Sequence, residues 1–379
     1  MRISSKKSIA TKSSASDQRH MAVALALGRR GLGRVWPNPA VGCTIVQAGN
    51  IVGRGWTQPG GRPHAETEAL DRAGDKLKGS TVYVSLEPCS HLGKTPPCVD
   101  KLIEAGISRC VVAVEDPDPR VSGRGVTRLR EAGIDVEVGV MGDLAREINE
   151  GFFSRVTRGR PLVTLKIATT LDGCIATGKG ESRWITGPKA RLRVHVMRAE
   201  HDAILIGIGT AKADDPMLTC RLPGMAEMSP VRVVLDSNLR LPLTHELAAT
   251  ARDHPTWIMA DYAVKGEQRV ALEDCGIEIF EVERGVDGHL SVDGILKRLA
   301  GRGVTRLMVE GGRTVASTFL RARLVDRIAW FRAPTMLGGE GIKVTTPLGI
   351  GALTDAIRLR HMSREALNED VLDMFSFVA

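Results

Sequence analysis

Residues Pro88–Cys98 read PCSHLGKTPPC: two cysteines with eight residues between them, a proline ahead of the first, and a histidine and a lysine inside. The thiols could form a disulfide, be two small buried residues, or supply half of a metal site. The chain carries seven cysteines, an odd number, scattered over 379 residues. Its first stretch, MRISSKKSIATKSSASDQ, is polar and basic with no apolar centre, so residues 1–16 read as a disordered leader rather than a secretory signal. Reduced thiols in a cytoplasmic compartment are then the simpler expectation, which counts against a disulfide.

The natural partner of these thiols is HAE, His64–Glu66, where the Gly-rich loop QPGGRP enters a helix-like segment. Cys89 lies where the strand-like STVYVSLEP is stopped by Pro88. Helix starts and strand ends are where an α/β sheet builds its binding crevice. One imidazole (His64) and two thiolates (Cys89, Cys98) make a catalytic zinc set, with a fourth position left for water. A closed structural zinc would need a fourth protein ligand, for which His91 is available. A zinc ion brings the pKa of a bound water from about 15.7 to roughly 7. Glu66, two residues past His64, can stay off the metal and carry a proton to a departing amine. Histidine, glutamate two later, then Pro-Cys and a second Cys is the signature of zinc-dependent nucleobase deaminases. Enzymes that edit nucleic acid keep two residues between the cysteines, however, and this chain has eight.

Around this motif the chain alternates helix-like and strand-like segments. QRHMAVALALGRR has helical apolar spacing, and AVGCTIVQ and IVGRGW read as strands paired about a Gly49-Asn50 turn. HAETEALDRAG, CVDKLIEAG and GRGVTRLREAG read as helices between the strands STVYVSLEP and RCVVAVEDP. The order predicts a helix-covered sheet with parallel strands over residues 17–146. After a helix near 143–158, Pro161 and a fresh apolar strand mark a boundary, with 147–160 expected as linker. Residues 161–379 read as a second α/β domain, with strands at LVTLKIATTLDG, AILIGIG, VRVVLD, TWIMA, RLMVEGG and DRIAWFRAP, and VLDMFSFVA as an edge strand.

In the second half, Lys166 lies within an apolar strand just before a Leu-Asp-Gly turn. Such a lysine either snorkels to the surface or hydrogen-bonds an oxygen undergoing reduction. VEGGRTVASTFL reads as strand, Gly-Gly, helix start, which offers backbone N–H groups to a pyrophosphate. It is not a GxGxxG fingerprint. The net charge of +8 favours an acidic partner. Aromatic residues make up only 4% of the chain, which poorly supplies a stacking surface for single strands. A small anionic substrate fits better than nucleic acid, and no apolar run reaches the roughly 20 residues that span a bilayer. A zinc-stabilised RNA-binding protein is the competing class, and the cysteine spacing disfavours it.

With WPNPAVGC (Trp36–Cys43), GGRPHAE and EDPDP (Glu115–Pro119) beside it, the SHLGKTPP insert resembles the deaminase half of the bifunctional deaminase–reductase family of riboflavin biosynthesis. TLDG, GESRWITG, GIGTAKADDPMLTCR, VLDSN and VEGGRTVASTFL resemble its reductase half. The resemblance implies two α/β domains: an N-terminal cytidine-deaminase-like α/β/α sandwich and a C-terminal dihydrofolate-reductase-like domain. It implies one Zn2+ per deaminase domain on His64, Cys89 and Cys98, with Glu66 as proton carrier. Asn38, His91, Lys94 and Asp116 would contact a small phosphorylated pyrimidine. In the reductase half the cofactor would be NADPH, contacted by Ala168, Trp184, Thr210, Asp214, Ser237 and the segment Gly312, Arg313, Thr314, Val315, Ala316, Ser317, Thr318. Ser182, Arg198, Leu218, Arg221 and Glu310 would contact substrate, the arginines because guanidinium binds phosphate oxygens bidentately. Lys166 would stabilise the reacting sugar hydroxyl. A cytoplasmic homo-oligomer, dimer or tetramer, is expected. One position departs from the family pattern: Asp118 stands where asparagine is usual.

Read residue by residue, several of these positions also have plainer explanations. Asn38 between two prolines could only shape a turn, and Lys94 could be a solvated charge. Trp184 could be a core aromatic, Arg198 part of a solvated helix face, and Asp214-Asp215 turn chemistry before Pro216.

Overall fold

A computed structural model describes residues 14–75, 77–92, 96–119, 121–285 and 288–377. Most of the leader expected at 1–16 lies outside these residues, but Ala15 and Ser16 open a helix. The chain divides into two compact units, one of residues up to Gly31 plus Asn38–Phe153, the other of Leu32–Pro37 plus Ser154 onward. The short stretch 32–37 therefore belongs with the second unit, and the segment expected as linker is mostly helical.

The first unit runs α1 (Ala15–Arg29), β1 (Gly42–Gln47), β2 (Asn50–Trp56), α2 (Ala65–Ala73), β3 (Thr81–Val84), α3 (Cys98–Glu104), β4 (Arg109–Val112), α4 (Arg124–Glu131), β5 (Asp135–Val138), α5 (Gly142–Ile148) and the start of α6 (Glu150–Arg158). Ser14 caps α1 by accepting the Asp17 N–H at 3.0 Å. The hairpin loop between β1 and β2 is Ala48-Gly49, one residue earlier than expected, with both residues at positive φ as a tight type I′ turn requires. The sheet order is β2-β1-β3-β4-β5, with β1 antiparallel to both neighbours and β3, β4 and β5 parallel.

Two glycines show how the helices sit on this sheet. A Cβ on Gly42 would come within 1.9 Å of the Ala24 carbonyl oxygen in α1, and one on Gly55 within 2.1 Å of the Ala65 carbonyl oxygen in α2. Gly55 pairs with Cys43, whereas Gly42 is its neighbour along β1, so the two glycines point to opposite faces. α1 and α2 therefore cover opposite faces in close backbone contact, and the unit is an α/β/α sandwich.

The second unit contains β6 (Leu162–Thr169), β7 (Cys174–Ala176), α7 (Pro188–Ala199), β8 (Ala203–Gly207), α8 (Ile208–Asp214), β9 (Val231–Leu235), α9 (Glu246–Ala249), β10 (Thr256–Asp261), α10 (Glu267–Asp274), β11 (Glu278–Val282), α11 (Val292–Gly301), β12 (Arg306–Val309), α12 (Arg313–Arg321), β13 (Arg327–Arg332), β14 (Ile342–Lys343), β15 (Leu359–Leu367) and β16 (Asp370–Phe377). Nine strands form one sheet in the order β11-β10-β9-β8-β12-β6-β13-β16-β15, with every neighbouring pair parallel except the two that β16 makes, with β13 and with β15. VLDMFSFVA thus supplies an inner strand, and the edge is β15, LRHMSREAL, which is exposed along nearly its whole length.

A buried core lies on each face of this sheet. Val163, Leu165 and Ile167 of β6 join one, with Leu205, Leu307 and Val309, while Ile204, Ile206 and Met308 join the other. By alternation Lys166 and Ala168 share the second face, where α7 contributes Ala190 and Met197. Among the described residues no helix is long and apolar enough to cross a membrane.

Candidate active sites

His64 is the extended residue that caps α2. Ahead of it the chain turns through Gly60 and Gly61, and a side chain on Gly61 would overlap the Asn38 amide, so Asn38 is seated beside the loop that delivers His64. Cys98 opens α3, and Cys89 lies in the turn beyond β3. His64 Nδ1 is 3.3 Å from Cys98 Sγ and 3.6 Å from Cys89 Sγ, and the three ligand atoms lie within 4.8 Å of one another. A tetrahedral zinc with bonds of about 2.0–2.3 Å holds its ligand atoms roughly 3.5 Å apart. The set therefore fits zinc through Nδ1 and two sulfurs. Exposed His91 is not part of this group, so the closed four-ligand arrangement is not formed.

The protons of the site point the same way. A hydrogen bond from Cys98, together with His64, holds the Cys89 thiol down at about 4. Cys98 is pushed far up by that same partnership and by burial. The two sulfurs in effect share one proton, which a divalent cation displaces on binding. The Cys98 N–H also donates to Cys89 Sγ at 3.4 Å, fixing one ligand by the backbone of the other. Glu66, in the first turn of α2, is 4% exposed, and burial pushes its carboxyl up to about 7. In that range a carboxyl group both takes and gives a proton near neutral pH.

Of the remaining expected contacts, Asp116 and Asp118 are both buried, and the Asp118 N–H donates to Asp116 Oδ1 at 2.8 Å. Lys94 lies outside the described residues. Sequence reasoning passed over Glu87, whose buried carboxylate accepts the Asp116 N–H at 3.2 Å. Its place directly before Pro88-Cys89 was the available signal.

In the second unit the expected residues gather at the carboxyl ends of β6, β8, β9 and β12, where a doubly wound sheet opens its crevice. Glu310 follows β12 and is almost fully buried. Arg198 of α7 donates to it bidentately, Nε to Oε1 at 2.9 Å and Nη2 to Oε2 at 3.0 Å. Lys166 Nζ lies 3.9 Å from the same carboxylate. Burial alone would raise Glu310, but the Arg198 and Lys166 charges bring it down to about 2. Lys166 is lowered by burial, with Glu310 opposing and Arg198 adding to the shift. Arg198 is therefore no solvated surface charge. Its fork is already taken by Glu310, and its Nη1 donates to the Thr219 carbonyl at 3.1 Å.

Leu218 is buried at positive φ and Arg221 is exposed, both on the loop that His195 also touches. His195 Nδ1 lies 3.1 Å from the Thr219 carbonyl and 3.3 Å from the Arg221 amide nitrogen. His195 was not singled out from the sequence, although its spacing of three from Arg198 puts both on one helix face. The Gly312 N–H donates to Thr210 Oγ1 at 3.2 Å, so the start of α12 and α8 adjoin. Within the 312–318 segment Ala316 and Ser317 turn into the core, leaving Gly312 to Val315 and Thr318 nearer the surface. Trp184 is 70% exposed and lies between the Arg183 and Arg191 guanidiniums, which is no core position. Arg183 donates to the Asp214 carbonyl at 2.6 Å, tying the Trp184 loop to the end of α8. Ser182, Ala168 and Ser237 are partly exposed.

A three-ligand zinc set with a buried carboxyl group, followed by a second α/β unit with Arg198 and Lys166 about Glu310 at its strand ends, is the arrangement of a two-domain zinc deaminase–reductase. The family models agree. Residues 14–114 match the "Cytidine and deoxycytidylate deaminase zinc-binding region" and residues 161–372 the "RibD C-terminal domain". The chain is 42% identical over 359 residues to the riboflavin biosynthesis protein RibD of Aquifex aeolicus (strain VF5), covering 95% of this chain and 98% of that one. It is 39% identical over 366 residues to the RibD of Escherichia coli (strain K12), covering 94% and 98%. The structure of Acinetobacter baumannii RibD (form 1) superposes with a TM-score of 0.86 at 36% identity, over 96% of this chain and 99% of that one. A Thermotoga maritima protein described as a diaminohydroxyphosphoribosylaminopyrimidine deaminase/5-amino-6-(5-phosphoribosylamino)uracil reductase gives 0.84 at 34% identity, over 96% and 99%.

The chain belongs to the RibD family. It is a bifunctional riboflavin-biosynthesis enzyme with a deaminase and a reductase activity, and its cofactors are Zn2+ and NADPH.

Proposed function

We propose that this chain hydrolytically deaminates 2,5-diamino-6-(5-phosphoribosylamino)pyrimidin-4-one and then reduces the ribosyl group of the product to ribityl, giving 5-amino-6-(5-phosphoribitylamino)uracil. His64, Cys89 and Cys98 would hold zinc, which supplies a Lewis acid able to make a water nucleophilic near neutral pH. Glu66 takes the proton released as the C–O bond forms and delivers it to the amine as the C–N bond breaks, so ammonia leaves and a carbonyl remains. Asn38 and Asp116 orient the pyrimidine, with His91 and Lys94 on its phosphate side. The reading rests on one observation above all, the convergence of three metal-competent ligand atoms beside the buried Glu66.

In the second unit NADPH would supply a hydride to the sugar carbon attached to the ring amine, whose bond to the sugar-ring oxygen breaks, leaving that oxygen as a hydroxyl. Lys166 donates a hydrogen bond to the oxygen on which negative charge develops, and Glu310 with Arg198 fixes that lysine in place. Arg198 already gives three of its five N–H groups to Glu310 and Thr219, so exposed Arg221 is the better placed of the two to meet the substrate phosphate. Gly312 to Val315, Thr318, Thr210, Asp214, Ser237, Ala168 and Trp184 would line the cofactor, and Ser182 and Leu218 the substrate. Three cations, Lys166, Arg198 and Arg221, against the one carboxylate of Glu310 leave a surplus of positive charge that suits an anionic substrate. The enzyme is proposed to work in the cytoplasm as a homo-oligomer. The test is zinc content together with ammonia release and NADPH oxidation on the phosphoribosylamino pyrimidine. Zinc-loaded protein that releases no ammonia would overturn the reading of the first unit, and absent NADPH oxidation on deaminated product that of the second.

A further inference from the structure

Glu87 ends the segment that delivers Cys89, and the chemistry above makes no use of it. Its side chain is 4% exposed, so its oxygens must find their hydrogen bonds inside the protein. They meet four backbone donors. Oε1 accepts from Gly125 at 2.9 Å and Val126 at 3.2 Å, and Oε2 from Gly123 at 3.0 Å and Asp116 at 3.2 Å. Three of these amides belong to the start of α4, whose cap residue Gly123 has no side chain to offer. Glu87 thus caps that helix from a distant strand end, with its charge at the positive end of the helix. The fourth amide belongs to Asp116, in the EDPDP loop.

α4 in turn bears on the residues to either side of Cys89. A Cβ on Gly125 would sit 2.2 Å from the Pro88 carbonyl oxygen, so the helix start lies directly on the residue before the ligand. Arg128 donates to the carbonyl of Ser90, the residue after it, at 3.1 Å. The same arginine pairs with Asp100 in α3, the helix that Cys98 begins.

We infer that Glu87 is a positioning residue for the deamination: its buried carboxylate fastens the Asp116 loop and the start of α4 to the strand end that carries Cys89. The ligand turn and the loop that reads the pyrimidine then form one rigid frame. The inference rests on the proposed contact between Asp116 and the substrate. Cys89 has further ties, through the Ser90 carbonyl and the Cys98 amide. Losing the Glu87 carboxylate therefore removes a hydrogen bond from the Asp116 loop while the metal ligand keeps both of these ties.

Glu87→Gln in the full-length zinc-loaded enzyme tests this, because an amide NH2 would face N–H donors where an oxygen now accepts. The variant is expected to keep its zinc and to oxidise NADPH on deaminated product like the parent. Its deamination KM should rise on the order of tenfold with kcat changed less than about threefold. Glu87→Asp, which keeps both oxygens, should recover part of that KM. A KM within about twofold of the parent's overturns the inference, as does zinc loss with a parallel fall in kcat, which marks a plain structural support. Should the Gln variant fail to fold, hydrogen exchange of the parent decides. The amides of Asp116, Gly123, Gly125 and Val126 should exchange as slowly as those of β4, and rapid exchange overturns the inference. Failure of the parent to release ammonia would instead overturn the proposed function, and the exchange test would still stand.

Discussion

Glu310→Gln removes one charge from between Lys166 and Arg198 at nearly constant volume. Lys166 Nζ lies 3.9 Å from Glu310 Oε2. At an effective dielectric of about 20 that separation is worth about 4 kcal/mol. Lys166 already sits below the ordinary lysine value because burial disfavours its ammonium, and Glu310 is the neighbour that holds it up against Arg198. With Glu310 neutralised, burial and Arg198 act in one direction. The Lys166 side chain keeps 20% exposure, so water softens the effect, but the direction is fixed: the lysine falls further below its ordinary value.

The sign follows directly. A lysine with a lower pKa loses its proton at lower pH, so the alkaline limb of kcat/KM for NADPH oxidation should move to lower pH. Ammonia release by the same protein should be unaffected. Stability should fall by about 3–5 kcal/mol, because Arg198 keeps a buried charge without its partner. The assay is a pH series of NADPH oxidation on the deaminated pyrimidine, with Lys166→Met as the variant that removes the limb. An unmoved limb with only KM raised would refute the reasoning, since Glu310 would then be a substrate contact and the Lys166 charge irrelevant to reduction.

Further outcomes follow from the same geometry. Glu66→Gln should retain zinc and lose ammonia release by about 10²–10⁴-fold, read by metal analysis and an ammonia assay; near-normal turnover would remove Glu66 from the proton step. Cys98→Ser should lose metal and deamination together, while NADPH oxidation on deaminated product persists. Lys166→Ala should impair reduction alone. His201, 3% exposed between the Met197 carbonyl and Thr164 Oγ1, is held by burial at about 3 against an ordinary 6.5. Its folded form stays neutral while the unfolded chain takes up a proton below 6.5. Its contribution is therefore complete above 6.5 and is lost as pH falls toward 3, at about 1.4 kcal/mol per unit. Urea denaturation at successive pH values should show a shallower acid decline in His201→Gln, and an unchanged slope would contradict the assignment.

The His64, Cys89 and Cys98 cluster was legible in the sequence because its residue types are rare and their order is restrictive. His64, Glu66, Cys89 and Cys98 announce a chemistry that few other residue sets perform. Most strands of the two units were legible for a simpler reason, being short apolar runs such as AILIG, whereas β5 (DVEV) and β11 (EIFEV), interrupted by acidic residues, were not singled out. β15 was not, because LRHMSREAL faces solvent along almost its whole length and carries no alternation for burial to impose. The stretch expected as linker, 147–160, carries the end of the helical region expected near 143–158, and the chain leaves that region only at Arg158, ahead of Pro161.

Residues that hold the chemistry in place were hidden for a different reason. Glu87 is one of 44 acidic residues with nothing local to mark it, Glu310 was expected only as a substrate contact, and the partners of both are far away in sequence. Glu87 reaches amides up to 39 residues on, and Glu310 pairs with Arg198 across 112 residues. No local pattern encodes such a meeting; only the packing of strand ends against helix starts brings it about. Yet burial gives each carboxylate a definite task, because a charge withdrawn from water must gather donors or cations around it. Glu87 gathers backbone N–H groups and so fixes a loop, whereas Glu310 gathers two cations and so sets the charge of a lysine. The two glutamates would fail differently when neutralised, the first in substrate affinity and the second in pH dependence, and that contrast is what separate assays on one bifunctional chain can read.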